Sequence, residues 1–306
     1  MGSRQLSQIL KHPEEILYFL FNRKVFNKIS DEKYLKFKFR VLMGENLNLK
    51  NPKTFNQKLQ WLKLYDRKPI YTKLVNKYEA REIISDTIGR EYLVPILGVY
   101  NNPSEIDYEN LPQKFVVKPT HTSGDVYICT DKDLLDISKL ESEIGKWMER
   151  DYYLIHREWP YKDSKRLIII EQYLEDSEGS LKDYKLMCFN GKVEMTLVVS
   201  DRDKGINKKM DFFDNNWVKL PIKRVYSNSE QEIPKPKNFE KMIELAEKLA
   251  KNIPFVRVDF YEVNNQLIFG EMTFYPGAGF EKFFPKNADQ ILGDLLMLPM
   301  HSEDYR

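Results

Sequence analysis

The chain has 306 residues, of which 42% are hydrophobic and 31% are charged, and its formal net charge is +2. This length suffices for a sizeable core and about two domains, and the composition is that of an ordinary soluble globular protein. The small net charge argues against nucleic acid as a partner. Cys129 and Cys188 are the two cysteines. Two cysteines are too few to indicate a disulfide framework or a structural zinc site. Their scarcity favours a reducing, cytoplasmic location.

Residues 1–50 are predicted to form a helical N-terminal extension. No signal peptide is indicated, because Gln5 to His12 is too polar for an apolar core region. The apolar run Ile16 to Phe21 is too short for a transmembrane segment. The lysine-flanked segment Ile16 to Phe26 is compatible with peripheral association with a membrane, but a helix docked on its own domain is the favoured interpretation.

Residues 51–113 are predicted to form an N-terminal, mainly helical lobe. A capping box at Thr54 to Gln57 begins one amphipathic helix. A second helix is predicted from Thr72 to Ile88, where Gly89 ends it. The basic residues on the second helix form a stripe with a spacing of four residues: Lys73, Lys77 and Arg81.

Residues 114–176 are predicted to form a small subdomain. Its strand-like segments are Phe115 to Lys118, Val126 to Cys129 and Leu167 to Ile170, with a helix around Leu140 to Met148. From 177 to 306 the patterns are those of hairpins, interrupted by one amphipathic helix from Met242 to Ile253. Residues 177–306 are therefore predicted to form a C-terminal subdomain that carries a metal site.

Lys118 stands at the end of an apolar strand, directly before the small, hydroxyl-rich loop Pro119 to Asp125. An ammonium group beside free backbone N–H groups can bind a phosphate. The alternative, a surface turn with a solvated lysine, is favoured when this motif is considered alone. His121 in this loop could serve as a general base, although a structural role is the commoner one for a lone histidine.

A two-residue turn at Asn190-Gly191 sets the register of another hairpin and predicts that Lys185 pairs with Thr196. By extension, Arg202 shares the sheet face of Lys185. Two cations on one face could neutralise phosphates during their transfer. The alternative is a hairpin whose charged face is exposed to solvent.

Two predicted strands near the C-terminus, Val256 to Tyr261 and Gly270 to Thr273, carry acids where half-buried strands usually carry apolar residues. The acids are Asp259 and Glu271. A buried carboxylate is costly unless it is paired or holds a metal, and Mg²⁺ bound through one or two carboxylates usually serves the phosphates of a nucleotide. The alternative is that a nearby arginine or lysine pairs with each acid.

The register of this hairpin decides whether the two acids can meet. If Asn264-Asn265 alone formed the loop, Asp259 would pair with Gly270 and Glu271 would point to the opposite face. A three-residue loop, Asn264 to Gln266, would set Asp259 directly across from Glu271. The metal site is therefore predicted to require an odd-length loop.

The segment Ile168 to Leu174 is an apolar strand that leaves the core through Glu171. Such an exit could present backbone N–H and C=O groups to the edge of an adenine. The alternative is an ordinary core strand that reaches solvent.

Taken in order, these features resemble the ATP-grasp superfamily and, more narrowly, the TupA-like ATP-grasp family, which is named for teichuronopeptide biosynthesis. The resemblance extends from about Asn51 to Leu296. Its narrowest phrases are Asn-Pro-Lys-Thr-Phe-Asn-Gln-Lys at 51–58, Asp183-Tyr-Lys185, Val256 to Tyr261 and Gly270 to Phe274. The resemblance implies an α+β fold, in which two lobes with mainly antiparallel sheets grip ATP between them.

The resemblance also implies a role for each matching position. The implied ATP-binding residues are the phosphate lysines Lys77 and Lys118, the phosphate-covering loop Thr122, Ser123 and Gly124, and the adenine hinge Glu171, Gln172, Tyr173 and Leu174. The implied catalytic residues are Lys185, Arg202 and Arg257, and the implied Mg²⁺ ligands are Asp259, Glu271 and Thr273. Most superfamily members have asparagine where this chain has Thr273, and an aspartate commonly occupies the position of Asn76.

The activity implied by the resemblance is carboxylate–amine ligation that uses ATP and Mg²⁺ and passes through an acyl phosphate. The favoured substrates are a sugar carboxylate, such as a uronic acid, and an amino acid or another amine, in surface-polysaccharide biosynthesis. Three alternatives stay open: a sugar kinase with the same fold, a nucleotide-binding accessory protein without catalysis, and a nucleotide-sugar glycosyltransferase.

Overall fold

The computed structural model describes residues 24–176, 181–200 and 208–299. The α-helices of this part are α1 (Asp31–Met43), α2 (Phe55–Tyr65), α3 (Ile70–Val75), α4 (Ala80–Ile88), α5 (Ile137–Glu149), α6 (Tyr152–His156), α7 (Phe239–Leu249) and α8 (Ala288–Leu295). The strands are β1 (Ile96–Tyr100), β2 (Phe115–Pro119), β3 (Tyr127–Cys129), β4 (Ile168–Gln172), β5 (Asp183–Phe189), β6 (Lys192–Ser200), β7 (Lys209–Phe213), β8 (Lys219–Leu220), β9 (Phe255–Val263) and β10 (Gln266–Thr273). Short 3-10 helices include Lys24–Lys28, Arg90–Tyr92, Trp159–Tyr161 and Pro276–Gly279.

Local interactions fix the end of α1 and the start of α2. The α1 helix stops at Gly44, which takes the left-handed conformation with φ of 81°, a conformation that glycine adopts at little cost. The α2 helix begins at Thr54, whose side chain accepts a hydrogen bond from the N–H of Gln57 at 3.3 Å. The predicted start of this helix is therefore confirmed.

The single helix predicted from Thr72 to Ile88 is wrong, because the structure divides it into α3 and α4. Asn76 lies in the break and is fully buried. Its Oδ1 accepts a hydrogen bond from the N–H of Glu79 at 3.1 Å, and its Nδ2 donates to the Oγ of Ser164 at 3.0 Å. Asparagine side chains that bond the local backbone compete with a continuous helix, and here the partners around Asn76 decide in favour of the break.

The first sheet has four strands in the order β1-β4-β2-β3, and every neighbouring pair is antiparallel. The central strand β4 is fully buried at Ile168, Ile169 and Ile170. The β1 strand was not predicted, because it lies in the segment that was expected to be mainly helical. It pairs with β4 through an irregular register near Gly98.

The second sheet has six antiparallel strands in the order β10-β9-β5-β6-β7-β8. The α7 helix packs on one side of it, through Met242, Leu245 and Ala246. The predicted amphipathic helix is therefore confirmed, although it ends at Leu249 and not at Ile253. The other side of β5, β9 and β10 carries the charged residues of the candidate site.

The Asn190-Gly191 turn joins β5 to β6 as predicted, but the predicted pairing of Lys185 is wrong. The ladder slips by one residue beyond the turn, because Glu194 has no partner on β5. Such a bulge moves every later residue by one position. Lys185 consequently lies opposite Leu197, and Thr196 belongs to the other face.

The predicted α+β class with two mainly antiparallel sheets and a helical N-terminal region is confirmed over the described residues. The division of the chain at residues 50, 113 and 176 stays a prediction. Among the described residues, no helix has the length and apolar character needed to cross a bilayer. The segment Ile16 to Phe21 lies outside the described residues.

Candidate active site

A cavity of about 690 Å³ lies between the two sheets. Its walls come from α3 and α4, from β2, β3 and β4 of the first sheet, and from β5, β9 and β10 of the second. Pockets of this volume commonly hold small molecules and cofactors. The predicted site residues on its walls are Lys77, Lys118, Ser123, Gly124, Glu171, Gln172, Tyr173, Leu174, Lys185, Asp259 and Glu271.

Lys118 and Glu171 form an ion pair on the first sheet. The Nζ of Lys118 lies 2.6 Å from the Oε2 of Glu171, and the other oxygen of this carboxylate lies 3.9 Å from Arg81. The Glu171 side chain is 9% exposed, whereas that of Lys118 is 29% exposed. Lys118 is therefore a cation that one carboxylate holds in place at the cavity wall.

Lys77 reaches the same cavity from the break between α3 and α4. Its Nζ donates a hydrogen bond to the carbonyl oxygen of Thr122, and its backbone N–H donates to the carbonyl oxygen of Thr120 at 3.2 Å. Burial lowers the pKa of Lys77 to about 8, although the nearby charge of Glu271 opposes the shift. The broken helix thus places a second cation against the predicted phosphate loop.

The loop after Lys118 has a buried part and a cavity-facing part. Thr122 is fully buried, and its hydroxyl has no hydrogen-bond partner among the described residues. Ser123 and Gly124 line the cavity, and Gly124 has φ of +88° with open space where a side chain would be. Of the three predicted loop residues, the structure therefore brings two to the cavity wall.

His121 lies in this loop but not on the cavity wall, and it is 2% exposed. Burial and the nearby charges of Arg166 and Lys77 lower the pKa of His121 to about 4. A neutral, buried imidazole agrees with the structural role that the sequence favoured.

The predicted hinge, Glu171 to Leu174, lies along one edge of the cavity. The N–H of Gln172 donates to the carbonyl oxygen of Pro95 at 3.0 Å, so this amide is already engaged within the protein. Apolar side chains from separate parts of the chain face the same cavity: Leu93, Val94, Val126, Ile128, Phe269 and Met272.

Asp259 and Glu271 do pair across the β9–β10 hairpin, but by a route that the sequence did not predict. The loop has two residues, because Val263 pairs with Gln266. A bulge at Gly270 then shifts the register by one residue, so that Asp259 lies opposite Glu271. The requirement for an odd-length loop is wrong, because a bulge changes register as effectively as an extra loop residue.

Gly270 has a close neighbour at this bulge. A side-chain carbon built on it would lie 3.2 Å from the carbonyl oxygen of Asp259 and 3.2 Å from the ring of Tyr261. Glycine therefore allows β10 to approach β9 at the point where the two acids are brought into register.

Asp259 is surrounded by cations. Its Oδ1 accepts a hydrogen bond from the Nε of Arg257 at 2.7 Å, and its Oδ2 accepts from the Nη2 of Arg257 and the Nζ of Lys185, both at 2.6 Å. Lys185 also lies 2.6 Å from Asp183. Burial alone would raise the pKa of Asp259, but Arg257 and Lys185 hold it below its usual value.

Glu271 and Thr273 complete this network from β10. The Nη2 of Arg257 lies 3.2 Å from Glu271 and donates to the hydroxyl of Thr273 at 3.0 Å, and the Thr273 hydroxyl donates to Glu271 at 3.2 Å. Arg257 and Thr273 do not line the cavity itself. They lie opposite each other in the hairpin, two residues along the strands from Asp259 and Glu271.

The three predicted metal ligands offer two carboxylates and one hydroxyl, which are the oxygen donors that Mg²⁺ prefers. The described residues contain no group of three or more His, Cys, Asp or Glu side chains placed for a metal ion, so phosphate and water oxygens would have to complete the coordination. Both oxygens of Asp259 are engaged by cations, whereas the Glu271 side chain is 41% exposed. The donor set fits Mg²⁺ in its chemistry, and Glu271 is the carboxylate with room for the ion.

Arg202, predicted to face the reacting phosphate, lies outside the described residues. Sequence reasoning also missed Asp125 and Tyr261 on the cavity wall. Tyr261 had a signal, because it continues the alternation of Arg257 and Asp259 on one strand face. The apolar wall had none, because its side chains come from distant parts of the chain.

The comparisons with known proteins agree with this architecture. The sequence model of the family described as "TupA-like ATPgrasp" matches residues 57–297. This chain therefore belongs to the TupA-like ATP-grasp family, and its fold is the ATP-grasp fold. No curated protein matches it.

Several solved ligases are similar in structure. A D-alanine–D-alanine ligase from Helicobacter pylori has 18% identity and a TM-score of 0.44, over 79% of this chain and 69% of that one. The ATP-grasp ligase PsnB, with its minimal precursor, Mg and ADP, has 12% identity and a TM-score of 0.38, over 72% and 57%. The D-cycloserine synthetase DcsG has 15% identity and a TM-score of 0.37, over 74% and 71%.

Proposed function

We propose that this protein is an ATP- and Mg²⁺-dependent ligase that joins a carboxylate to an amine through an acyl phosphate. One observation carries the proposal: Lys77, Lys118 and Lys185 converge with Glu271 on a single cavity between two sheets. Family membership supports the choice of ATP as the substrate that fills it.

The reaction has two steps. In the first, an oxygen of the substrate carboxylate attacks the γ-phosphorus of ATP, and ADP leaves. In the second, the amine nitrogen attacks the acyl carbon, inorganic phosphate leaves, and the nitrogen loses a proton. ATP and a carboxylate repel each other, so the protein must supply positive charge around the transferring group.

Each cation has a distinct place in this scheme. Lys77 and Lys118 would bind the phosphates near the loop containing Ser123 and Gly124, while Glu171 to Leu174 would contact the adenine. Lys185 on the cavity wall, and Arg257 from beyond it, would act near Asp259 and Glu271, where charge develops on the phosphoryl and acyl oxygens. Arg202 is proposed as a further cation at this end.

Magnesium would be held chiefly by Glu271, with Thr273 and Asp259 beside it, and would neutralise phosphate charge. Arg257 and Lys185 already balance the charge of Asp259.

The proposed carboxylate substrate is a sugar acid such as a uronic acid, in surface-polysaccharide biosynthesis in the cytoplasm. This part of the proposal rests on the family's association with teichuronopeptide biosynthesis alone, which is an argument by analogy.

The test is ADP release by purified protein with ATP, Mg²⁺, a uronic acid and an amine. We expect Lys118→Ala and Glu271→Ala each to lower turnover by about 10²-fold or more, the scale for removing one aimed charge. Lys192→Ala is the matched control, because its side chain is 71% exposed in a surface pair with Glu247.

All three variants should melt near the wild-type temperature. Trapping of the acyl phosphate by hydroxylamine would support the two-step chemistry. Unchanged turnover in both site variants would contradict the site, and ADP release with a neutral sugar in place of the acid would favour the kinase.

A further inference from the structure

A second cavity, which the proposed reaction does not use, lies beside the candidate active site. It has a volume of about 320 Å³, at the lower end of the range in which proteins bind small molecules. Its walls come from α3, from α4, and from the end of α7 with the loop that follows. Leu74 lines both cavities, so α3 is a wall that they share. We call the second cavity the α3–α7 recess.

The buried part of this wall is apolar. Four of the side chains that line the α3–α7 recess are no more than 7% exposed: Tyr71, Leu74, Leu249 and Ile253. Ile70 lines the recess as well and is 43% exposed. Removing such apolar surface from water is favourable. The recess therefore favours a ligand with an apolar part.

The exposed part of the wall is basic. Lys68, Lys248 and Lys251 line the recess and are exposed, and none of its described lining residues is acidic. Lys68 precedes α3, whereas the other two lysines lie at the end of α7 and just after it. Positive charge therefore reaches the recess from two separate parts of the chain.

This positive charge is only partly balanced within the protein. The Nζ of Lys68 lies 3.6 Å from the Oδ1 of Asp66. Lys248 forms a 2.7 Å pair with a glutamate one turn earlier on α7, and its side chain is 51% exposed. Lys251 makes no ion pair with any residue that the structure describes. An anion in the recess would therefore meet one unpaired cation and two that solvent can reach.

We propose that the α3–α7 recess binds a free amphiphilic anion, a small molecule with an apolar chain or ring and one carboxylate or phosphate head. The apolar part lies against Tyr71, Leu74 and Ile253, and the head meets Lys68 and Lys251. Lysine presents a compact point charge without the fork of arginine, so either head suits the rim. A single molecule can contact the buried side chains, whereas a flat bilayer would contact chiefly the exposed ones. The inference does not rest on the proposed function.

The test is a ligand-observed NMR titration of the full chain with octanoate and with octyl phosphate, both below the concentration at which they form micelles. We expect at least one probe to bind saturably and one-to-one, with a Kd of about 1 mM or lower. Octanamide, which lacks the charge, should bind at least about 3-fold more weakly than octanoate. Butyrate, which is shorter by four methylene groups, should bind at least about 10-fold more weakly.

Substitution of Thr87 tests the location of the apolar part. This residue is exposed on α4, lines the recess and donates its hydroxyl to the carbonyl oxygen of Ile83 at 2.7 Å. Thr87→Phe would fill the recess and should weaken probe binding by at least about 10-fold. Thr87→Ala removes the same hydroxyl without filling the space, so it is the matched control and should bind the probe as the wild type does.

A second set of variants tests the rim. The double variant Lys68→Gln with Lys251→Gln should weaken probe binding by about 3- to 10-fold, the scale for two exposed charges. Its control is Lys192→Gln with Lys241→Gln, which removes the same net charge from side chains that are 71% and 43% exposed and lie outside the recess. This control should bind the probe unchanged.

Lys118→Ala distinguishes the two cavities, because an alkyl phosphate could also enter the candidate active site beside Lys118. If the α3–α7 recess is the site, this variant should keep the wild-type affinity for the probe. A large loss of affinity in Lys118→Ala would assign the probe to the first cavity and overturn the inference.

The inference is also overturned if neither probe binds, if octanamide binds as tightly as octanoate, or if Thr87→Phe binds as well as Thr87→Ala. Protein that sediments with phosphatidylglycerol vesicles but binds neither free probe would contradict it too, because the occupant would then be a bilayer. None of these results bears on ADP release, so the ligase is judged separately.

Discussion

Asp259 is the residue on which the charges of the site depend. It is 1% exposed, and two cations, Arg257 and Lys185, hydrogen-bond its two oxygens. Because Asp259 is buried among cations, we expect it to contribute more to stability than to metal binding. Glu271, whose side chain is 41% exposed, is expected to contribute more to metal binding than to stability.

This contrast gives a prediction. Asp259→Asn should lower the free energy of unfolding by about 3–5 kcal/mol, because it removes the buried carboxylate that Arg257 and Lys185 share and leaves each of these cations with a single acidic partner. Glu271→Gln should lower it by less than about 1 kcal/mol, because that carboxylate is partly exposed. Urea titrations at neutral pH measure both changes, and equal stability of the two variants would contradict the assigned roles.

The break between α3 and α4 is the element that aims Lys77. Asn76 stabilises the turn before α4, because its Oδ1 accepts hydrogen bonds from the N–H groups of Tyr78 and Glu79. Its Nδ2 donates to Ser164 and to the carbonyl oxygen of Lys165 at 2.8 Å. An aspartate at this position could accept the first two hydrogen bonds but could not donate the others. The departure from the common family residue is therefore explained by the partners that surround Asn76.

Asn76→Ala should destabilise the protein by about 1–2 kcal/mol through the lost buried hydrogen bonds of its side chain and should raise the KM for ATP, because Lys77 loses its position. Thr54→Ala, which removes the cap of α2, is the matched control. It should cost similar stability and leave the KM for ATP unchanged. A KM that moves equally in both variants would show that the effect is general loosening and not the position of Lys77.

At the scale of the whole molecule, one buried lysine joins three parts of the chain. The Nζ of Lys63 on α2 donates to the carbonyl oxygen of His156 at 3.0 Å, at the end of α6, and to that of Ala278 at 2.7 Å, in the turn after β10. Burial lowers the pKa of Lys63 to about 7, and Glu158 opposes the shift. Lys38, beside it, has its pKa lowered to about 7 by burial and by the charge of Lys63.

A pH dependence of stability follows from Lys63. The unfolded chain keeps its lysine protonated up to the ordinary pKa of 10.5, whereas the folded chain releases this proton near pH 7. Between these values the unfolded state binds more protons, so the free energy of unfolding should rise with pH. Below pH 7 both states are protonated, and Lys63 adds no slope.

Lys63→Met should therefore reduce this rise by about 1 kcal/mol per pH unit between pH 8 and 9. Urea titrations at those two pH values measure the slope. Lys192→Met is the control, because its side chain is 71% exposed in a surface pair with Glu247. An unchanged slope in Lys63→Met would mean that Lys63 keeps its proton in the folded state.

Much of the site followed from local patterns. The alternation that sets Arg257 and Asp259 on one face, the Asn190-Gly191 turn and the start of α2 depend on residues within a few positions of one another, so the chain itself carries the information. The predicted positions of Lys118, Glu171 and Glu271 on a common cavity came from the order of these motifs and from the family resemblance. None of them required knowledge of the packing.

The registers of the strands and the convergence of the site residues were decided by tertiary packing. The bulges at Gly270 and Glu194 shift their ladders by one residue, and a shift of that size follows from how neighbouring strands pack and not from the loop that joins them. The chain by itself determined most of the elements, the family and most of the charged groups of the site. Only the tertiary structure decided that Asn76 interrupts a helix, that Arg257 lies between the two acids and that Lys68 and Lys251 line one recess, because each of these depends on contacts between residues far apart in sequence.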